Sequence, residues 1–200
     1  MPDHKGTRLP LLSAGMARRT TIKALALGGI GALTGLGFMS AALAESMQAG
    51  WRWCSKCQGM FYAMASGAMH MGVCPAGGQH IDAGSGHYLE VYDAQGSGKL
   101  QTGWSWCVKC QGFFYSHASA GAGGMGHCPA GGAHVKTGSG AYAAVIGEDG
   151  PRQQGGWRWC NKCMGMFYAR AGAGKGVCPA DHQPHTDIVG SGRYASLFTP

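Results

Sequence analysis

Trp51-Arg52-Trp53-Cys54-Ser55-Lys56-Cys57-Gln58-Gly59-Met60-Phe61-Tyr62 decides how this chain is read. The stretch returns as Trp104–Tyr115 and as Trp157–Tyr168, each 53 residues after the one before, with eight of the twelve positions identical in all three. Every copy continues in the same order. A variable Gly/Ala/Met/Ser stretch is followed by Cys-Pro-Ala at Cys74, Cys128 and Cys178, then a histidine, then Gly-Ser-Gly-x-Tyr ending at Tyr88, Tyr142 and Tyr194. A fixed period of this length marks a repeat protein. We read three repeats, 45–98, 99–151 and 152–200, behind a separate segment 1–44.

Each repeat is too short and too rich in glycine to stand on its own core. Of the 37 glycines, 30 lie in the 156 residues after position 44, roughly a fifth of that part against a usual share of about 7%. A chain of about 50 residues is marginal without a staple. The nine cysteines give three per repeat, an odd number that cannot pair off as disulfides within a unit.

A Cys3His metal site satisfies the count. Cys54, Cys57, Cys74 and His80 read Cys-x2-Cys-x16-Cys-x5-His, and Cys107, Cys110, Cys128 and His134 differ by one residue in the long gap. A Cys-x2-Cys turn puts two sulfurs on one ion, and the second turn closes a tetrahedral shell, the arrangement of structural zinc. About three zinc ions per chain are therefore expected, with no open coordination position for catalysis. The third copy keeps Cys160, Cys163 and Cys178, but Asp181-His182 replaces Gly-Gly and His185 follows Pro184. Both His182 and His185 are candidates, with His185 preferred because it keeps the Gln-then-His order.

The fold class expected is all-β. Trp51–Cys54 and Tyr88–Tyr92 alternate with period two, and glycine turns separate the apolar runs. The units should be zinc-ribbon-like, standing in a row or closed around a pseudo-threefold axis. The close spacing without a Pro/Ser linker favours packed units. Trp53, Trp106 and Trp159 are expected to shield the thiolates, while Trp51, Trp104, Trp157, Phe61, Phe114 and Phe167 fill the core. Lys56, Lys109 and Lys162 sit between paired cysteines. They would either offset the negative charge of a Cys3His site or lie solvated on a turn.

Arg18-Arg19-Thr20-Thr21-Ile22-Lys23, an apolar run and Ala42-Leu43-Ala44 resemble a twin-arginine export signal. That resemblance implies export in the folded state to the periplasm, cell surface or exterior. It also implies no stable membrane insertion once the signal is cleaved. The whole-chain net charge is +7, yet only about +3 remains beyond residue 44, so charge does not point to nucleic acid. The full unit is similar to tandem cysteine-rich repeats of exported bacterial proteins, which carries with it no particular substrate or reaction.

Three functions compete. A non-enzymatic exported module that binds glycan or another envelope component is favoured, a repeated Trp or Tyr offering a stacking face. A metal-handling protein storing or buffering zinc or copper is the alternative, with Met64, Met69, His70, Met71, His117, Met125 and His127 as candidate Cu(I) ligands. A thiol–disulfide oxidoreductase is second. Trp53-Cys54-Ser55-Lys56-Cys57 looks superficially like a thioredoxin-type motif, but the period is too short and a third cysteine recurs. Haem attachment is excluded by Gln58, Gln111 and Met164 where histidine is required. Catalytic carboxylates do not recur in phase. Ser85, Ser139 and Ser191 do, without a His–Asp pair at matching spacing.

Overall fold

Each repeat turns its two period-two segments and the short apolar run between them into three antiparallel strands. The structure, a computed structural model, describes residues 47–64, 70–92, 99–117, 124–170, 174–187 and 191–199. The expected signal in 1–44 lies outside them, as does Met69. The strands are β1 (Met47–Trp53), β2 (Met60–Tyr62) and β3 (Tyr88–Tyr92); β4 (Leu100–Trp106), β5 (Phe113–Tyr115) and β6 (Tyr142–Ile146); β7 (Gln153–Trp159), β8 (Met166–Tyr168) and β9 (Tyr194–Phe198). The described residues contain no helix.

Within a repeat the long first strand pairs with the short second strand at its Trp-x-Trp end and with the third strand along its length. The register shifts at Ala49/Trp51, Thr102/Trp104 and Gln154/Trp157. The glycine before each tryptophan takes a positive φ at these shifts, 101° at Gly50, 92° at Gly103 and 92° at Gly156. Such a bulge needs a residue without a Cβ.

Between repeats the pairing is cyclic, which settles packed units closed around a pseudo-threefold axis over modules in a row. The C-terminal half of β3 pairs with the N-terminal half of β6, that of β6 with β9, and that of β9 with β3. The second strands close a matching ring through Phe61↔Gly112, Phe114↔Gly165 and Gly59↔Phe167. The amides of Tyr62, Tyr115 and Tyr168 donate to the carbonyls of Gln111, Met164 and Gln58, each at 2.8 Å.

The core is an aromatic column. Trp51, Trp104 and Trp157 are no more than 1% exposed, and each meets a tyrosine of another repeat nearly edge-on. Trp51–Tyr142, Trp104–Tyr194 and Trp157–Tyr88 have centroids 5.3, 5.4 and 5.4 Å apart. The tyrosine hydroxyls cannot be left bare in such a column. Tyr142, Tyr194 and Tyr88 donate to Gln48, Gln101 and Gln154, again across repeat boundaries. These glutamines belong to a Gln-x-Gly that precedes every Trp-x-Trp. The recurrent element therefore begins three residues earlier than the first tryptophan, at a glutamine whose partner lies in another repeat.

One position breaks the symmetry inside the core. The middle residues of β3, β6 and β9 are Glu90, Ala144 and Ser196, all buried. Ser196 Oγ donates to Glu90 Oε1 at 2.8 Å. Burial pushes the Glu90 carboxyl up to about 8, the serine hydrogen bond opposing it only in part.

Candidate metal centres

The first two cysteines of each repeat sit in a turn built by the strand that precedes it. Cys54, Cys107 and Cys160 donate their amides to Gly59, Gly112 and Gly165 at 2.9–3.0 Å, and their carbonyls accept from Gln58, Gln111 and Met164 at 2.8–2.9 Å. Those last three residues adopt φ of 63°, 67° and 63°, which folds the chain back into β2, β5 and β8. The third cysteine opens a second turn, with Cys74 and Cys128 donating to Gly78 and Gly132, each at 2.8 Å.

In the third repeat that turn is one residue longer. Cys178 donates to Gln183 and accepts from His182, which stands exposed at φ 56° in place of a glycine. The longer turn absorbs the insertion, so His185 N donates to Lys175 O as His80 N and His134 N donate to Met71 O and Met125 O. His185, not His182, joins the third cluster.

Three clusters result: Cys54, Cys57, Cys74 and His80; Cys107, Cys110, Cys128 and His134; Cys160, Cys163, Cys178 and His185. All twelve residues are buried, and the ligand atoms within each cluster lie within 4.8 Å of one another. The sulfur pairs Cys54–Cys74, Cys107–Cys128 and Cys160–Cys178 are 3.9, 3.9 and 3.8 Å apart. Sulfur to His Nδ1 is 3.5, 3.5 and 3.6 Å. A tetrahedral zinc with its usual bond lengths requires edges of about 3.8 Å for S–S and about 3.6 Å for S–N. No disulfide joins any of the nine thiols. The donor set and spacing fit zinc at three sites per chain, each with four protein ligands.

The crowding of three buried thiols in each cluster also calls for a cation. Hydrogen bonds from Cys57 and Cys74 hold the Cys54 thiol well below its ordinary range, and the same holds for Cys107 and Cys160. Their partners Cys57, Cys110 and Cys163 are pushed up by that sharing and by burial. Three sulfurs at this spacing cannot all ionise on their own, whereas a divalent ion removes the protons and carries the charge.

The surroundings orient each ligand. The histidine rings stack on Phe61, Phe114 and Phe167 at 4.5, 4.5 and 4.7 Å, so the phenylalanines cover the metal sites rather than the axial core. The tryptophans do the reverse. Trp53, Trp106 and Trp159 are half-buried against the axial aromatic column, and only Trp159 also touches a thiol cluster, that of the second repeat. Ile81 N and Val135 N donate to Cys54 Sγ and Cys107 Sγ at 3.4 Å. Lys56 Nζ and Lys109 Nζ donate to Gly77 O and Gly131 O, each at 2.5 Å, while Lys162 binds Asp181 at 2.7 Å and Pro184 O at 3.1 Å. The lysines thus tie the first turn to the second.

The sites are coupled around the ring. Gly72, Gly126 and Gly176 take φ of 58°, 64° and 63° and press on the next repeat's first turn. A Cβ there would come within 2.2, 2.2 and 2.0 Å of the carbonyl oxygens of Cys110, Cys163 and Cys57. Val73 N also donates to Cys110 O at 3.3 Å, and His134 Nε2 lies 3.2 Å from Cys163 O.

Other candidates have local duties. Ser85, Ser139 and Ser191 accept the amides of Trp53, Trp106 and Trp159 at 2.7–2.9 Å, closing the strand end beside each metal turn. Of the proposed copper ligands, Met71 and Met125 pack on the thiol clusters. His70 Nδ1 accepts from Gly72 N, His127 lies against Lys162 O, and His117 stacks on Tyr115. Comparison with protein-family models, curated proteins and solved structures found no match.

Proposed function

We propose that this is an exported, non-enzymatic scaffold that uses three zinc ions to hold a closed β ring and binds a glycan or other envelope component through its surface. The observation that carries the reading is the closed Cys3His shell repeated in phase, buried and tied to the neighbouring repeat. Four protein ligands leave zinc no position for water or substrate, and metal binding of this kind contributes directly to folding. The twin-arginine-like segment supports export after metal is acquired, because that route implies passage in the folded state. Aromatic side chains at the repeat boundaries are half-buried in Trp53–Tyr168, Tyr62–Trp106 and Tyr115–Trp159 pairs, so a ligand would meet their edges in combination with polar groups.

Chelation distinguishes this reading from metal storage. Zinc removal is expected to abolish near-ultraviolet circular dichroism in step with metal loss. A chain that gives up and retakes zinc with its fold intact would place metal handling first. Export is tested by joining residues 1–44 to a reporter that functions only after folding in the cytoplasm; retention inside the cell would contradict it.

A further inference from the structure

At three positions facing one groove, the middle repeat departs from both neighbours at once. Arg52 and Arg158 become Ser105, Asp82 and Asp187 become Lys136, and Ala63 and Ala169 become Ser116. In the outer repeats the arginine lies over its own strand, Arg52 Nη1 donating to Trp51 O at 2.8 Å and Arg158 Nη1 to Trp157 O at 2.7 Å. Arg158 also approaches Asp187 at 3.9 Å. In the middle repeat the corresponding place is a cavity of about 350 Å³ lined by Thr102, Ser105, Ser116, Lys136 and Ser139, within the usual range of small-ligand sites.

The hydrogen-bonding capacity of this cavity is specific. Ser116 Oγ donates to Gly103 O at 3.0 Å, so Ser105 Oγ, 2.7 Å away, donates to Ser116. Ser139 Oγ accepts from Trp106 N and donates to Gly140 O at 2.7 Å. The protons of the three serine hydroxyls are committed and lone pairs are left over. Ser105 is only 5% exposed. Lys136 is exposed and makes no ion pair among the described residues. The serines favour a ligand that donates O–H groups, and Lys136 favours one that carries negative charge. Inorganic phosphate or sulfate offers the charge but wants donors that the serines no longer have.

We propose that the groove of the middle repeat binds an acidic sugar residue, Lys136 pairing with its carboxylate while Ser105 and Ser139 accept its hydroxyls. The site deepens the reading of the protein as a glycan-binding scaffold and rests on it. In the outer repeats the arginine lies on the equivalent face.

Amide chemical shifts of the zinc-loaded protein titrated with D-glucuronate, D-glucose and sulfate test this. Glucuronate should shift Ser105, Ser116 and Lys136 saturably, and glucose and sulfate should not. Lys136→Asp, the residue of the outer repeats, should weaken binding at least roughly tenfold. Ser105→Arg combined with Lys136→Asp rebuilds the Arg158 and Asp187 arrangement of the third repeat and should abolish binding while three zinc ions remain bound. No saturable shift with glucuronate, equal binding of sulfate, or an unaffected Lys136→Asp variant overturns the proposal. If glucuronate fails while isolated envelope glycans are retained by the protein, only the groove assignment falls; if neither binds, the glycan-binding reading falls with it.

Discussion

Replacing the buried apolar Met164 by glutamine should stabilise this protein. In the first repeat Trp53 Nε1 donates to Gln58 Oε1 at 3.2 Å, and Gln58 Nε2 donates to Ser55 O at 3.0 Å. The second repeat does the same through Gln111, at 2.8 Å to Trp106 and 2.9 Å to Val108 O. The third repeat has Met164 at that position, and Trp159 Nε1 is buried with no partner. The backbone is already right, since φ is 63° at both Gln58 and Met164. A buried, unpaired N–H costs about 1–3 kcal/mol. Met164→Gln supplies an acceptor for Trp159 and places its own amide opposite Asn161 O, the counterpart of Ser55 O. Part of the gain is offset by burying an amide in place of a thioether. A net gain of about 1 kcal/mol corresponds to roughly 2–4 °C in Tm for a protein of this size. The assay is thermal unfolding at fixed excess zinc, because bound metal shifts Tm by mass action. Gln111→Met is the mirror experiment and should lower Tm by a similar amount. A lower Tm for Met164→Gln, or no loss for Gln111→Met, would refute the reasoning.

The remaining predictions concern the ring and its axis. Gly126→Ala places a methyl within 2.2 Å of Cys163 O and adds the cost of a non-glycine at positive φ. It should destabilise by about 2 kcal/mol or more and speed zinc release from the third site, read by a chromogenic chelator. Cys110→Ser should cost more than one zinc in metal analysis, because Gly72 and Val73 of the first repeat rest on that turn. Glu90, raised to about 8 in the folded chain, has an unfolded value of about 4.3. The folded state therefore holds the extra proton between those values, so the contribution is complete below about pH 4.3 and is lost as pH rises toward 8. Glu90→Gln should thus gain stability over the parent on the order of 3 kcal/mol at pH 7, with a smaller difference at pH 5. A pH-independent difference in urea midpoints would contradict that sign.

What the sequence made legible was set by local chemistry. A Cys-x2-Cys turn, a Cys-Pro-Ala turn and an odd cysteine count constrain one another within about 30 residues, and His185 keeps the order of its neighbours. Short β-strands followed from period-two alternation at Trp51–Cys54 and Tyr88–Tyr92 and from the apolar runs between glycine turns. What stayed hidden depends on contacts between repeats. Whether modules stand in a row or close a ring is decided by β3, β6 and β9 pairing half by half, and no single repeat encodes that choice locally. The exchange of roles between Trp53 and Phe61 has the same origin, since both are apolar residues near a thiol and only the closed ring says which faces the axis. Glu90 has no acidic counterpart in the other repeats, and its burial beside Ser196 appears only when three middle positions meet. The recurring serines lacked a catalytic partner in the sequence, but their duty of accepting a strand-end amide shows only once their partners are known.

The most direct test of the central claim is zinc and free thiol counted together on the folded protein, purified without chelator and measured by native mass spectrometry before and after alkylation. Three zinc ions per chain, with all nine cysteines alkylated only after metal removal and unfolding, is the predicted result. A folded chain with fewer than three zinc ions, or with cysteines joined as disulfides, would contradict it.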